Sequence, residues 1–160
     1  MPTTSSTPEQ DLTAMTAAIA ASRQALDRGD MPFGAALARD GRILHVACND
    51  QCSSGDLTGH AELVLIREAQ RQLPEGSMRG ATVYASGEPC AMCAGALFWA
   101  GVARVVYAAS TPDIERVLGG PLLGARCADV TANCSPAVRV DGPLMGSEAV
   151  AVLEDASARM

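Results

Sequence analysis

Apolar side chains at Leu12, Met15, Ile19 and Leu26 recur at the spacing of one helical face. Ahead of them, Thr7-Pro8-Glu9-Gln10 has the form of an N-cap, a proline at N1 and a capping glutamine, and Gly29 supplies a stop. The pattern predicts a helix from about residue 8 to Gly29. Two short apolar stretches follow, Phe33 to Ala38 and Ile43 to Cys48, around Arg39-Asp40-Gly41-Arg42, whose Asp-Gly pair is a strong hairpin signal. Gly59 to Leu73 reads as a helix closed by Pro74, Ala81 to Ser86 as a buried strand, and Pro89 to Ala100 as a helix ended by Gly101. Arg104 to Ala109 reads as a strand, and a short helix opened by Thr111-Pro112 stops at Gly119-Gly120-Pro121. Ala137 to Val140 and Leu144 to Ala156 complete the series as a strand and a helix.

The resulting α/β order fits a mixed sheet covered by helices on both faces. Strands joined across helices are expected to be parallel, with the hairpin supplying the antiparallel pair. The chain reads as a single domain over residues 1–160, with the Thr/Ser-rich start at 1–7 expected to be disordered. Residues 119–136 show no clear periodicity, and a loop of that length in a compact domain is expected to act as a lid or specificity loop.

Composition narrows the partners. Of 160 residues, 48% are hydrophobic and 19% charged, which is globular rather than disordered. The net charge is −6, all 12 basic residues are arginines, and they are scattered singly, so a polyanion meets repulsion and nucleic acid is disfavoured as a partner. A small-molecule ligand is the easier expectation. The start carries no basic and apolar leader, and no apolar run is long enough to span a bilayer, so a cytoplasmic protein with no membrane partner is expected. In that compartment six cysteines point to metal ligation or free core thiols rather than disulfides.

His60-Ala61-Glu62 precedes Pro89-Cys90-Ala91-Met92-Cys93 by some thirty residues, and each motif opens a predicted helix. Two cysteines at i and i+3 on a first helical turn point the same way, and the positive end of the helix dipole favours their thiolates. His60, Cys90 and Cys93 therefore supply the three protein ligands of a catalytic zinc, one zinc per subunit, with the fourth position left for water. Glu62 lies two positions from His60, roughly 200° around a regular helix, so both reach one centre only where the chain turns into the helix. The alternatives are a redox Cys-x-x-Cys, or a structural zinc completed by His45, Cys48 or Cys52. Cys127 and Cys134 read as ordinary thiols.

His-x-Glu followed by Pro-Cys-x-x-Cys resembles the signature of the cytidine-deaminase-like zinc deaminases. Pro32-Phe33-Gly34-Ala35, Asn49 and Cys93-Ala94-Gly95-Ala96 are similar to the guanine-deaminase and tRNA-adenosine-deaminase branch, and the likeness spans about residues 10 to 110. The resemblance implies a three-layer α/β/α fold with a central mixed sheet of about five strands. It also implies a hydrolytic deamination in which water activated by zinc adds to the amino-bearing ring carbon while Glu62 moves the protons. Asn49 is carried over as a substrate contact, Phe33 and Trp99 as pocket walls, and Ala61 and Glu88, beside the metal ligands, as further contacts.

The leading expectation is a small free heterocycle, a nucleobase or analogue such as guanine, cytosine or an aminotriazine. The alternatives are a tRNA-specific adenosine deaminase and a non-catalytic zinc scaffold. A tRNA partner wants clustered cations, whereas the segment from Leu144 to Met160 offers Arg159 against Glu148, Glu154 and Asp155. The chain departs from the guanine-deaminase pattern in having no aromatic residue after Tyr107 to close the site. Pro121 to Pro136 takes over that role in this reading, with its one acid, Asp129, as a substrate contact. By the same resemblance the protein is expected to form a homodimer.

Overall fold

The computed structural model describes residues 5–160. Helix α1 (Pro8–Arg28) starts where the sequence places it. The Thr7 hydroxyl accepts from Gln10 N–H while the Gln10 side chain accepts from Thr7 N–H, and Gly29 closes the helix at a φ of 93°. The expected disorder of 1–7 falls mostly on residues outside the described range. Ser6 and Thr7 within it are held, Ser6 by hydrogen bonds to Asp11 and Arg104.

Strands β1 (Gly34–Arg39) and β2 (Arg42–Cys48) form the hairpin, turning through Asp40 and Gly41 at φ 52° and 74°. Both angles are positive, as a type I′ turn requires, and Gly41 adopts its angle without a Cβ penalty. There follow α2 (Gln51–Ser54), α3 (Ala61–Gln72), β3 (Thr82–Gly87), α4 (Ala91–Trp99), β4 (Arg104–Ala109) and α5 (Thr111–Leu118). The chain ends with α6 (Cys127–Thr131), β5 (Arg139–Asp141) and α7 (Gly146–Arg159).

The five strands lie in the order β2-β1-β3-β4-β5. The β3–β4 and β4–β5 pairs are parallel, as expected across helices. The hairpin is not the sheet's sole antiparallel pair, because β1 sits between β2 and β3 and runs against both. Alternation along the strands divides the core. Leu37, Val83 and Val105 face α3 and α4, while Ala36, Tyr84 and Val106 face α1 and α7. Each large apolar side chain buried in these two layers contributes about 1.5–3 kcal/mol relative to its exposed state. Residues 119–136 also differ from the expected loop, since they contain α6, which packs beside α4. The sheet thus delivers the carboxyl end of β3 directly into Glu88-Pro89-Cys90, where α4 begins.

Candidate functional site

His60 and Cys90 are the N-cap residues of α3 and α4, both extended (φ/ψ −65°/148° and −68°/173°), and neither side chain caps its own helix. The turn into α3 removes the wheel restriction, so His60 and Glu62 reach a common point. His60 Nδ1 lies 3.6 Å from Cys90 Sγ and 3.5 Å from Cys93 Sγ. Tetrahedral zinc with ordinary Zn–N and Zn–S lengths sets nitrogen and sulfur ligands about 3.6 Å apart. The donor set and its spacing therefore fit zinc. Among the described residues these three form the one His/Cys/Asp/Glu group able to hold a metal ion. His45 pairs with Glu68 at 2.7 Å, Cys48 contacts Gln24 and Cys52 is exposed, which leaves no fourth protein ligand at the centre among the described residues.

The electrostatics set the two thiols apart. The Cys90 thiol is drawn down to about 4, first by the hydrogen bond with Cys93 and, against burial, by His60. Cys93 is pushed up by the same bond and by burial. Glu62 is buried, and burial raises its carboxyl above the ordinary range. Asn49, only 1% exposed, is bonded through its N–H to Phe33 O at 3.0 Å. Phe33 in turn packs on the end of β3, so closely that a Cβ on Gly87 would stand 2.7 Å from its ring.

A family model described as "Cytidine and deoxycytidylate deaminase zinc-binding region" matches residues 8–109, which include the three donors and Glu62. This chain belongs to that family. It is 32% identical over 149 residues to a "probable cytosine deaminase" of Schizosaccharomyces pombe, covering 89% of each protein. It is 38% identical over 106 residues to a tRNA-specific adenosine deaminase of Agrobacterium fabrum, covering 66% of this chain and 70% of that one. The guanine deaminase of Nitrosomonas europaea has a similar structure, with a TM-score of 0.81 at 25% identity over 96% of this chain and 86% of the other. The chain is a hydrolytic deaminase with the cytidine-deaminase-like fold.

The remaining predicted contacts of this deaminase are dispersed. Ala61 is fully buried at the start of α3, next to His60. Glu88 is buried beside Pro89, but its oxygens are engaged: Arg126 Nε and Nη2 donate at 3.0 and 2.9 Å, and Thr111 N–H donates at 2.7 Å. Asp129 is exposed, and its Oδ2 accepts the Arg126 N–H at 2.9 Å as part of the α6 start. Trp99 is 83% exposed at the far end of α4, its ring edge-on to Phe98, and does not wall the centre within this chain.

Two residues near the site, Arg126 and Gln51, were not singled out from sequence, and a third, Cys127, reads there as an ordinary thiol. Arg126 holds Glu88 and also reaches the Tyr107 hydroxyl at 3.4 Å. Gln51 binds both ends of the Asn49 amide. Cys127, pushed up to about 12 by burial and by the charges of Glu88, Glu62 and Cys90, sets α6 within the field of the centre. Arg126 and Cys127 act across folds of chain that no local pattern joins. Gln51, two positions from Asn49, was within reach of an Asx-turn reading.

Proposed function

We propose that this deaminase converts the exocyclic amine of a small free heterocycle, a nucleobase or analogue such as guanine, cytosine or an aminotriazine, to a carbonyl with release of ammonia. The observation that carries the reading is a buried carboxylate, Glu62, two positions from His60, whose ring nitrogen lies 3.6 and 3.5 Å from the sulfurs of Cys90 and Cys93. One zinc per chain, held by His60, Cys90 and Cys93, supplies a water acidic enough to react near neutral pH. Glu62 takes a proton from the water at a carboxylate oxygen as the water oxygen adds to the amino-bearing carbon, and hands it to the ring nitrogen; it then takes the proton left on that oxygen and delivers it to the amine as the C–N bond breaks and the carbonyl forms. Asn49 retains one N–H and one oxygen lone pair beyond its bonds to Gln51, a donor and an acceptor for the ring edge. Phe33 and Ala61 border the ring. The segment 119–136, pinned through Arg126 to Glu88, covers it, with Asp129 steadying Arg126 rather than touching the ring.

The Agrobacterium relative keeps a tRNA adenosine deaminase as the second reading. Charge favours the free base: Arg23 is paired with Asp155, and Arg159 with Asp27, so the arginines beside α7 are already neutralised. We further propose a cytoplasmic homodimer. Six free cysteines support a reducing compartment, and no helix among the described residues is long and apolar enough to cross a membrane. The exposed Met92 and Trp99 on α4 support the dimer.

The test is ammonia release by the zinc-loaded protein from a panel of amino-heterocycles, nucleosides and tRNA. Turnover of free bases alone is expected. Turnover of tRNA alone would establish the second reading, and zinc retention with no turnover would mark a scaffold.

A further inference from the structure

Asn49 is fastened by its backbone as firmly as by its amide. Besides the N–H bond to Phe33, its carbonyl accepts from Arg28 Nη2 at 2.8 Å. Its Oδ1 accepts the Gln51 N–H at 3.0 Å, and its Nδ2 donates to Gln51 Oε1 at 2.7 Å. Gln51 begins α2, a helix of four residues that cannot sustain itself in isolation. Its own N-cap residue, Asp50, makes no side-chain capping bond.

That role is filled from outside the helix. Asp30 Oδ1 accepts the N–H groups of Cys52 and Ser53 at 2.9 and 2.8 Å, the second and third amides of α2. Asp30 Oδ2 accepts the Ser53 hydroxyl at 2.8 Å and Arg28 Nε at 2.6 Å. The Asp30 side chain has no exposed surface, and its acceptor sites are all used. A buried carboxylate so completely bonded is a fixed anchor, and Arg28 supplies the opposite charge that makes its burial tolerable. From α2 the bracket continues to the metal: Gln51 Nε2 donates to Leu57 O at 3.1 Å, and Asp50 N–H to Gly59 O at 3.0 Å, next to His60. Gly59 leaves room for this approach, because a Cβ there would stand 2.1 Å from Asp50 Oδ1.

We infer that Arg28 and Asp30 are positioning residues for substrate recognition: the pair caps α2 from outside and fixes the Asn49 amide at a set distance from His60. The inference rests on the substrate role of Asn49 proposed above. Neither residue touches the metal donors or the ring, so both act through Asn49.

Arg28→Met keeps most of the side-chain stem and removes the charge from a half-exposed position. It is expected to raise KM about tenfold, the worth of one charge-assisted hydrogen bond, with kcat within about threefold and zinc content unchanged. Arg28→Lys should recover part of the loss. In an Asn49→Ala background Arg28→Met should add no further rise in KM, whereas an unchanged KM in the first background, or an equal rise in both, would overturn the inference. Hydrogen exchange gives a readout independent of turnover. Arg28→Met should speed exchange at residues 49–54 and leave the amides of β3 and β4 as they were, and unchanged exchange at 49–54 would also overturn it. If the parent protein turns over no heterocycle, the deaminase reading fails while the exchange result still decides the bracket.

Discussion

Arg126 lies across Glu88 with Nε and Nη2 at 3.0 and 2.9 Å from the carboxylate, whose side chain is 2% exposed. The contact joins the start of α6 to the residue two positions before Cys90. It ties the segment after α5 to the end of β3, and it makes Glu88 a structural anchor for that segment.

Removing Arg126 leaves a buried carboxylate short of its counter-charge. Its exposed half reduces the penalty from that of a fully buried pair, so Arg126→Ala is expected to cost about 2 kcal/mol, a fall of roughly 4–8 °C in Tm. Glu88→Gln keeps the shape but trades one acceptor oxygen for an NH2 that would face the donors Arg126 and Thr111 N–H, so it should cost at least as much. Thermal unfolding of the two variants checks the order.

Acid should weaken the protein through a second pair. Burial alone raises the Asp11 carboxyl, but hydrogen bonds from Arg104, Ser6 and Tyr84 outweigh it and hold it at about 2, below the ordinary 3.8. A carboxyl depressed on folding contributes stability that is fully present above its unfolded value and is lost as pH falls through its folded one. The window is therefore about pH 4 down to pH 2, and Asp30 and Glu88, also lowered, act in the same direction. Asp11→Asn should flatten part of the acid slope, by on the order of 1 kcal/mol after solvent screening. Urea unfolding at pH 5 and pH 3 measures it.

The exposed ring of Trp99 carries the dimer proposal. Large aromatics on a bare surface are characteristic interface anchors. Sedimentation should give the native chain twice its 16.4 kDa mass and Trp99→Glu the single-chain mass. Native protein sedimenting at 16.4 kDa would contradict the dimer.

What sequence could show followed from how local the physics was. The α1 capping box, the Asp40-Gly41 turn and the Cys90–Cys93 pair each lie within one turn of chain, and their patterns led to the observed elements. His60 and Cys90 meet across thirty residues, and there donor chemistry and placement at two helix entrances grouped them, with the family resemblance in support. Helix α6 is five residues long, too short for a periodic signal, and its partner Glu88 is 38 residues away from Arg126. Asp30 is buried by what α2 brings to it, which no window around Gly29 contains. Helix α4 is apolar on all sides, so its sequence could not say that the face bearing Trp99 would be the bare one. The second antiparallel partner of β1 is likewise a property of strand order rather than of any strand.

The central claim is that three donors hold a metal whose water Glu62 serves with proton transfer. Ammonia release by Glu62→Gln, with zinc assayed on the same sample, tests it most directly. The account predicts one zinc per chain and turnover reduced by about 10²–10⁴-fold, the range for a lost general acid–base group. Turnover within a few-fold of the parent protein, with zinc retained, would contradict it.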